Sequence, residues 1–141
     1  MPDKKPAGII LVTHTNYGHA LLEAAGFIMG SQEGCAAIGV DASQDVEETV
    51  AEIRRRLKEL DSGNGVLILT DMFGGTPTNL SLSLLSSGKV EVITGVNMPM
   101  LLKVLGNRTL PLRELAAAAK KAGLQGIVVA GEVLSQKVAD N

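Results

Sequence analysis

Five short apolar runs divide this chain, and their spacing restricts it to a narrow set of folds. They are residues 8–13 (GIILVT), 35–40 (CAAIGV), 65–70 (GVLILT), 89–94 (KVEVIT) and 126–131 (GIVVAG). They are mostly β-branched or Leu-rich, and Gly, Asp or Ser bounds most of them, the pattern of a strand. Their near-continuous apolarity predicts burial on both faces, as in a parallel sheet. Between them apolar residues recur at steps of three and four, predicting helices over 18–30, 45–60, 77–86, 98–106 and 111–123. The clearest is DVEETVAEIRRRLKEL, in which Val46, Val50, Ile53, Leu57 and Leu60 form one stripe. Its acids gather early and its bases late, matching the helix dipole, and the run Arg54–Arg55–Arg56 reads as a solvated face.

Alternating strand and helix means α/β. With right-handed crossovers and a mostly parallel sheet of order 2-1-3-4, the winding reverses between strands one and three. Ligands bind such sheets at the C-terminal ends of the strands, at that crevice. His14 ends strand one, and Thr70-Asp71 ends strand three. The order brings these two ends face to face.

A chain of 141 residues fits one domain, able to bury about 70% of its unfolded surface. The net charge of −2 supplies no basic field for a nucleic-acid backbone. Aromatic residues make up 2% and Trp is absent, which disfavours base-stacking platforms and flavin or haem pockets. Cys35 is the sole cysteine, so neither an internal disulfide nor a thiolate zinc cluster can form, and it reads as a small buried residue. No apolar stretch has the length of a signal peptide core or a membrane span. The expectation is a cytoplasmic protein that needs no cofactor and no metal.

The stretch ILTDMFGGTPTN, residues 68–79, supplies a second set of functional groups. Gly74 and Gly75 permit a sharp turn, Thr76 has the chemistry of an N-cap, and Pro77 suits a first helical position. Free N–H groups of a helix N-terminus beside a glycine pair form an anion cradle. Asp71 can accept a hydrogen bond from a histidine Nδ1–H, which fixes the tautomer and leaves Nε2 with its lone pair exposed. His14, Asp71 and the cradle are then a nucleophile, an orienting group and an anion site, the parts that phosphoryl transfer onto histidine needs. His19 falls on the following helix and reads as structural.

The segments VTHT, LTDMFGGTPTN and GVNMPML, with their spacing, resemble the IIA components of the mannose family of the sugar phosphotransferase system over residues 8–131. The resemblance implies that His14 takes a phosphoryl group on Nε2 from the phosphohistidine of a small histidine phosphocarrier protein. It would then pass the group to a IIB component, which hands it to a sugar at the membrane. It assigns Asp71 as the partner of His14, and Gly74, Gly75 and Thr76 to the phosphate. Thr15, Asn79, Asn97 and Pro99 would border the site. It also implies a homodimer in which the fifth strand, 126–131, is antiparallel and exchanged between subunits. The domain would span 8–132, with residues 1–7 disordered and 133–141 a C-terminal tail.

Two positions depart from the family pattern. Many members carry Gly directly after the active histidine, where this chain has Thr15, a β-branched residue that resists positive φ. The loop is therefore expected to sit differently. Many carry Phe after the turn proline, where this chain has Thr78, a change expected to bear on partner choice.

Rival readings are a receiver domain, a flavodoxin-like module, and a regulatory phospho-switch without transport. A receiver needs acids after strand one to hold Mg²⁺, and Thr-His-Thr stands there. A flavin sandwich needs more aromatics than Tyr17, Phe27 and Phe73.

Overall fold

The computed structural model describes residues 4–85 and 89–140. Four strands, β1 (Gly8–His14), β2 (Cys35–Val40), β3 (Val66–Thr70) and β4 (Val90–Thr94), form one parallel sheet. Their order is β2-β1-β3-β4, as the alternation of strand and helix predicts. Helices α1 (Tyr17–Met29), α4 (Met98–Leu105) and α5 (Leu112–Gln125) cover one face, and α2 (Val46–Leu60) and α3 (Gly75–Leu82) cover the other.

The alternating geometry of a strand explains the two cores. Ile9, Leu11, Leu67 and Leu69 point toward α4 and α5, where Leu101, Val104, Leu115 and Ala119 meet them. Ile10, Val12, Val66 and Ile68 point the other way, onto Ile53, Leu57 and Leu84. Strands β1 and β3 lie in the sheet centre and are buried on both sides, which is why they read as unbroken apolar runs.

Register places the site. Val12 pairs with Thr70, the last residue of β3, while β1 continues through Thr13 and His14 against Gly39 and Val40 of β2. The end of β1 thus overruns β3 by two residues, beside the point where the chain leaves β3 at Asp71.

Several expectations need correction. The segment 126–131 forms no strand within the chain. Helix α5 runs on to Gln125, Gly126 caps it, and α6 (Ala130–Asp140) follows, so only residues 127–129 are irregular. Gly123, expected to close α5, lies buried inside it. A side chain there would meet Met100 and Asn97 Oδ1, so the glycine serves close helix packing. Residues 133–140, expected as a tail, belong to α6. Within the expected disordered 1–7, residues 1–3 lie outside the described residues, but Ala7 is fully buried and its N–H donates to the Arg108 carbonyl at 2.8 Å. Arg108 in turn donates from Nε to the Ala7 carbonyl at 2.9 Å, clamping the entry to β1.

Helix α3 starts two residues before the predicted 77, with Gly74 rather than Thr76 at the cap and no side-chain capping bond. Pro77 is tolerated because a first-turn residue needs no N–H donor. Residue 86, the expected end of that helix, lies outside the described residues.

Candidate functional site

His14 is the last residue of β1, and its side chain is 46% exposed. Asp71 follows the last residue of β3, with a side chain only 16% exposed. Their side chains meet: His14 Nδ1 lies 2.7 Å from Asp71 Oδ2. The same oxygen accepts the backbone N–H of His14 at 3.1 Å. A carboxylate on Nδ1 favours the tautomer with its proton there, and in that tautomer Nε2 keeps its lone pair. Burial pushes the Asp71 carboxyl up, but the two hydrogen bonds from His14 and the attraction of an imidazolium outweigh it, and the group sits below the usual carboxylate range. Asp71 therefore stays ionised at neutral pH. The stability this adds is present above about pH 4 and is lost as pH falls through the lowered folded value.

The Gly75 backbone closes the other side of the imidazole. A Cβ at Gly75 would stand 3.1 Å from His14 Cε1 and 3.3 Å from Nε2, so only a bare backbone lets α3 begin this close to the ring. Gly74 and Gly75 both hold positive φ, +87° and +80°. The outcome is a helix N-terminus, with its unpaired N–H groups, beside the exposed ring nitrogen. Thr76 lines the same cavity as His14.

Thr78 braces the turn from beneath. Its hydroxyl donates to the Met72 carbonyl at 2.5 Å, so Thr70 Oγ1 must donate to Thr78 Oγ1, 2.7 Å away. Thr78 is fully buried, so it cannot touch a partner protein. In the single chain the side chain is spent on the Thr70 hydroxyl and the Met72 carbonyl.

Thr15 does adopt positive φ, at +48°, contrary to the expectation from its branching. The neighbours over-determine it. Its N–H donates to the Val40 carbonyl at 2.9 Å, and its carbonyl packs onto Gly39, where a Cβ would collide with it. Thr15 carries the strain of that conformation. Thr15→Gly should therefore raise stability by about 1 kcal/mol. That is a melting-point rise of several degrees, about 2–8 °C for a domain of this size, read by thermal unfolding followed by circular dichroism.

The remaining expected site residues separate. Asn79 is exposed on the first turns of α3. Asn97 is committed to structure: Oδ1 accepts the Met100 N–H at 3.0 Å, capping α4, and Nδ2 donates to the Gly123 carbonyl at 3.1 Å. Pro99 packs against Gly126 at the end of α5. The loop after β4 is tied to α1 through Val96, whose carbonyl accepts the Tyr17 hydroxyl at 3.4 Å.

His14, Asp71 and the start of α3 together set an imidazole, its Nδ1 held by a carboxylate, beside a helix N-terminus. The family described as PTS system fructose IIA component, EIIA-man, matches residues 8–121. This chain belongs to the EIIA-man family. Among its relatives, the fructose-specific EIIA component of Bacillus subtilis is 30% identical over 91% of this chain and 89% of its own length. The mannose-specific EIIAB component of Escherichia coli K12 is 34% identical over 84% of this chain, which spans only 38% of that relative. Among solved structures, an EIIA component from Streptococcus agalactiae superposes with a TM-score of 0.82 at 27% identity, covering 89% of this chain and 98% of that one. A mannose/sorbose-specific IIA subunit from Enterococcus faecalis gives 0.80 at 25% identity, covering 89% and 95%. The chain is thus a mannose-family IIA component of the sugar phosphotransferase system, and the receiver and flavodoxin readings fall away.

The sequence reading missed one wall of the candidate site. A cavity of about 320 Å³ beside His14 is lined by Val40, Asp41, Ala42, Gln44, Val46, Thr49, Thr76 and Leu80. The loop between β2 and α2 supplies Asp41, Ala42 and Gln44, and the head of α2 supplies Val46 and Thr49. The available signal was Val46, an apolar residue at the head of the α2 stripe that is 53% exposed and faces the cavity instead of the core. Cys35 begins β2, at the far end of that strand from the His14–Val40 pair, and burial pushes its thiol up more than the Arg108 guanidinium draws it down. Among the described residues no three His, Cys, Asp or Glu side chains converge as a metal site, and no helix is long and apolar enough to cross a membrane.

Proposed function

We propose that this chain is a phosphocarrier: His14 accepts a phosphoryl group from the phosphohistidine of a small histidine phosphocarrier protein and delivers it to a histidine of a IIB component. The observation that carries this reading is the 2.7 Å contact between His14 Nδ1 and Asp71 Oδ2, with Nε2 left facing the start of α3.

The transfer is an in-line displacement at phosphorus. The Nε2 lone pair of His14 forms the new N–P bond as the donor's N–P bond breaks, and the donor imidazole leaves with that electron pair. The Nδ1 proton stays on the ring throughout. Positive charge develops on the His14 imidazole, and the Asp71 carboxylate beside Nδ1 stabilises it. The phosphoryl oxygens meet the N–H groups at the start of α3 and the Thr76 hydroxyl, which are in place before the group arrives. Delivery to the IIB histidine is the same step in reverse, with His14 as leaving group. The test is to mix the purified chain with the phosphorylated carrier protein and locate the added phosphate by mass spectrometry. Phosphate on His14 is expected; phosphate on His19 alone would defeat the assignment.

The homodimer belongs to the same reading. Ile127, Val128 and Val129 are 73%, 58% and 62% exposed in the single chain. Strand β4 lies at the sheet edge with all five residues half-buried. An apolar extended segment and a free edge strand are complementary, and exchange between two copies satisfies both. Val128→Asp is expected to convert a dimer to a monomer in sedimentation equilibrium, with the fold retained. A wild-type chain that sediments as a monomer would refute the exchange.

A further inference from the structure

The wall of the site supplied by the β2–α2 loop carries a charge that the transfer chemistry above does not use. Asp41 lines the cavity shared by His14 and Thr76. Its carboxylate does not swing freely: Oδ1 accepts the Ser43 N–H at 2.8 Å and the Ser43 hydroxyl at 2.5 Å. These bonds also hold the carboxyl below its ordinary value, the side-chain bond from Ser43 first, so the group is anionic at neutral pH. The next acid along the loop is committed elsewhere, since Asp45 Oδ1 caps α2 by accepting the Glu47 N–H at 2.9 Å. Among the described residues no Lys or Arg lines this cavity to neutralise Asp41.

We infer that Asp41 sets the transfer potential of the phosphoryl group on His14 by facing it across the cavity with a fixed negative charge. The inference rests on the phosphocarrier reading above. A phosphoryl group on imidazole brings close to two negative charges into a cavity whose wall already holds one. Repulsion raises the free energy of the phosphorylated chain and leaves the unphosphorylated chain nearly unaffected. The N–P bond is thereby made a better donor. The anion cradle of α3 and Asp41 oppose one another: the first makes the site accept phosphate, and the second keeps it from retaining phosphate. A carrier that must pass its load onward needs both. Asp71 cannot play the second part, because its charge is taken up by the His14 ring.

The quantity to measure is the equilibrium constant for exchange between the phosphorylated carrier protein and this chain, read from the ratio of phosphorylated to free forms by intact-mass spectrometry. Asp41→Asn keeps an Oδ1 that accepts both Ser43 bonds and removes only the charge. It should shift the equilibrium about three- to fivefold toward phosphorylated His14 at about 0.01 M salt, and the shift should shrink toward unity near 1 M, where charges this exposed are screened. Asp41→Glu, which keeps the charge, should match the wild type. An unchanged constant in Asp41→Asn at low salt overturns the inference while leaving the phosphocarrier reading intact. So does a Glu variant that behaves as the Asn variant, since the effect would then come from loop geometry. Failure of the wild-type chain to take phosphate on His14 overturns both.

Discussion

A His14→Ala chain is expected to take up no phosphate from the phosphorylated carrier while folding as the wild type does. The imidazole is the reacting group, and no other side chain stands in its position. Its exposure means that truncation opens no core cavity, and the Asp71 carboxylate keeps the backbone N–H of residue 14 as a donor. Loss of the bond to the Asp71 carboxylate should cost about 1–2 kcal/mol, which leaves the chain folded. Intact-mass spectrometry after incubation with the carrier reads the loss of transfer, and a thermal melt reads the fold. Labelling at the wild-type level would remove His14 from the mechanism.

Asp71→Asn should slow phosphoryl acceptance by about 10²-fold, the lower end of what one preorganised group that stabilises developing charge contributes. The geometry leaves the amide no good placement. If its oxygen replaces Oδ2, both His14 bonds survive, but the NH₂ group takes the place of Oδ1, which is buried and has no hydrogen-bond partner. A buried donor without an acceptor is costly. If the NH₂ group faces His14 instead, it opposes the backbone N–H and drives the ring proton from Nδ1 to Nε2, onto the nucleophile. Either way the negative charge that steadies the developing imidazolium is gone. Stopped mixing with phosphorylated carrier measures the rate; wild-type kinetics would show that Asp71 neither orients nor stabilises the ring.

Much of the fold was legible because a few physical constraints dominate it. The unbroken apolar runs of β1 and β3 announce burial on both faces, and that announces a parallel sheet with helices on each side. From order 2-1-3-4 the meeting of His14 and Asp71 follows by topology. What failed has equally local causes. The segment IVV at 127–129 has strand composition, but in one chain it has no strand partner, and the helical continuity of α5 and α6 wins around it. Gly123 looked like a helix end, yet its missing side chain serves packing against Met100. Asn97 and Pro99 stood near the site by motif, while their side chains are spent on α4 and α5. Thr15 looked unable to take positive φ. A carbonyl docked on Gly39, 24 residues away in sequence, forces it, and no local rule contains that contact. Asp41 was invisible for a similar reason: it enters the site from a loop that bears no motif.

The most direct measurement is nuclear magnetic resonance of the phosphorylated, ¹⁵N-histidine-labelled chain, which reports the ring nitrogen bearing phosphorus. Asp71 holds Nδ1, so the account predicts phosphorus on Nε2 of His14, with the Nδ1 proton retained. Phosphorus on Nδ1 of His14 would contradict it, because that nitrogen could then not be the one bound to the carboxylate.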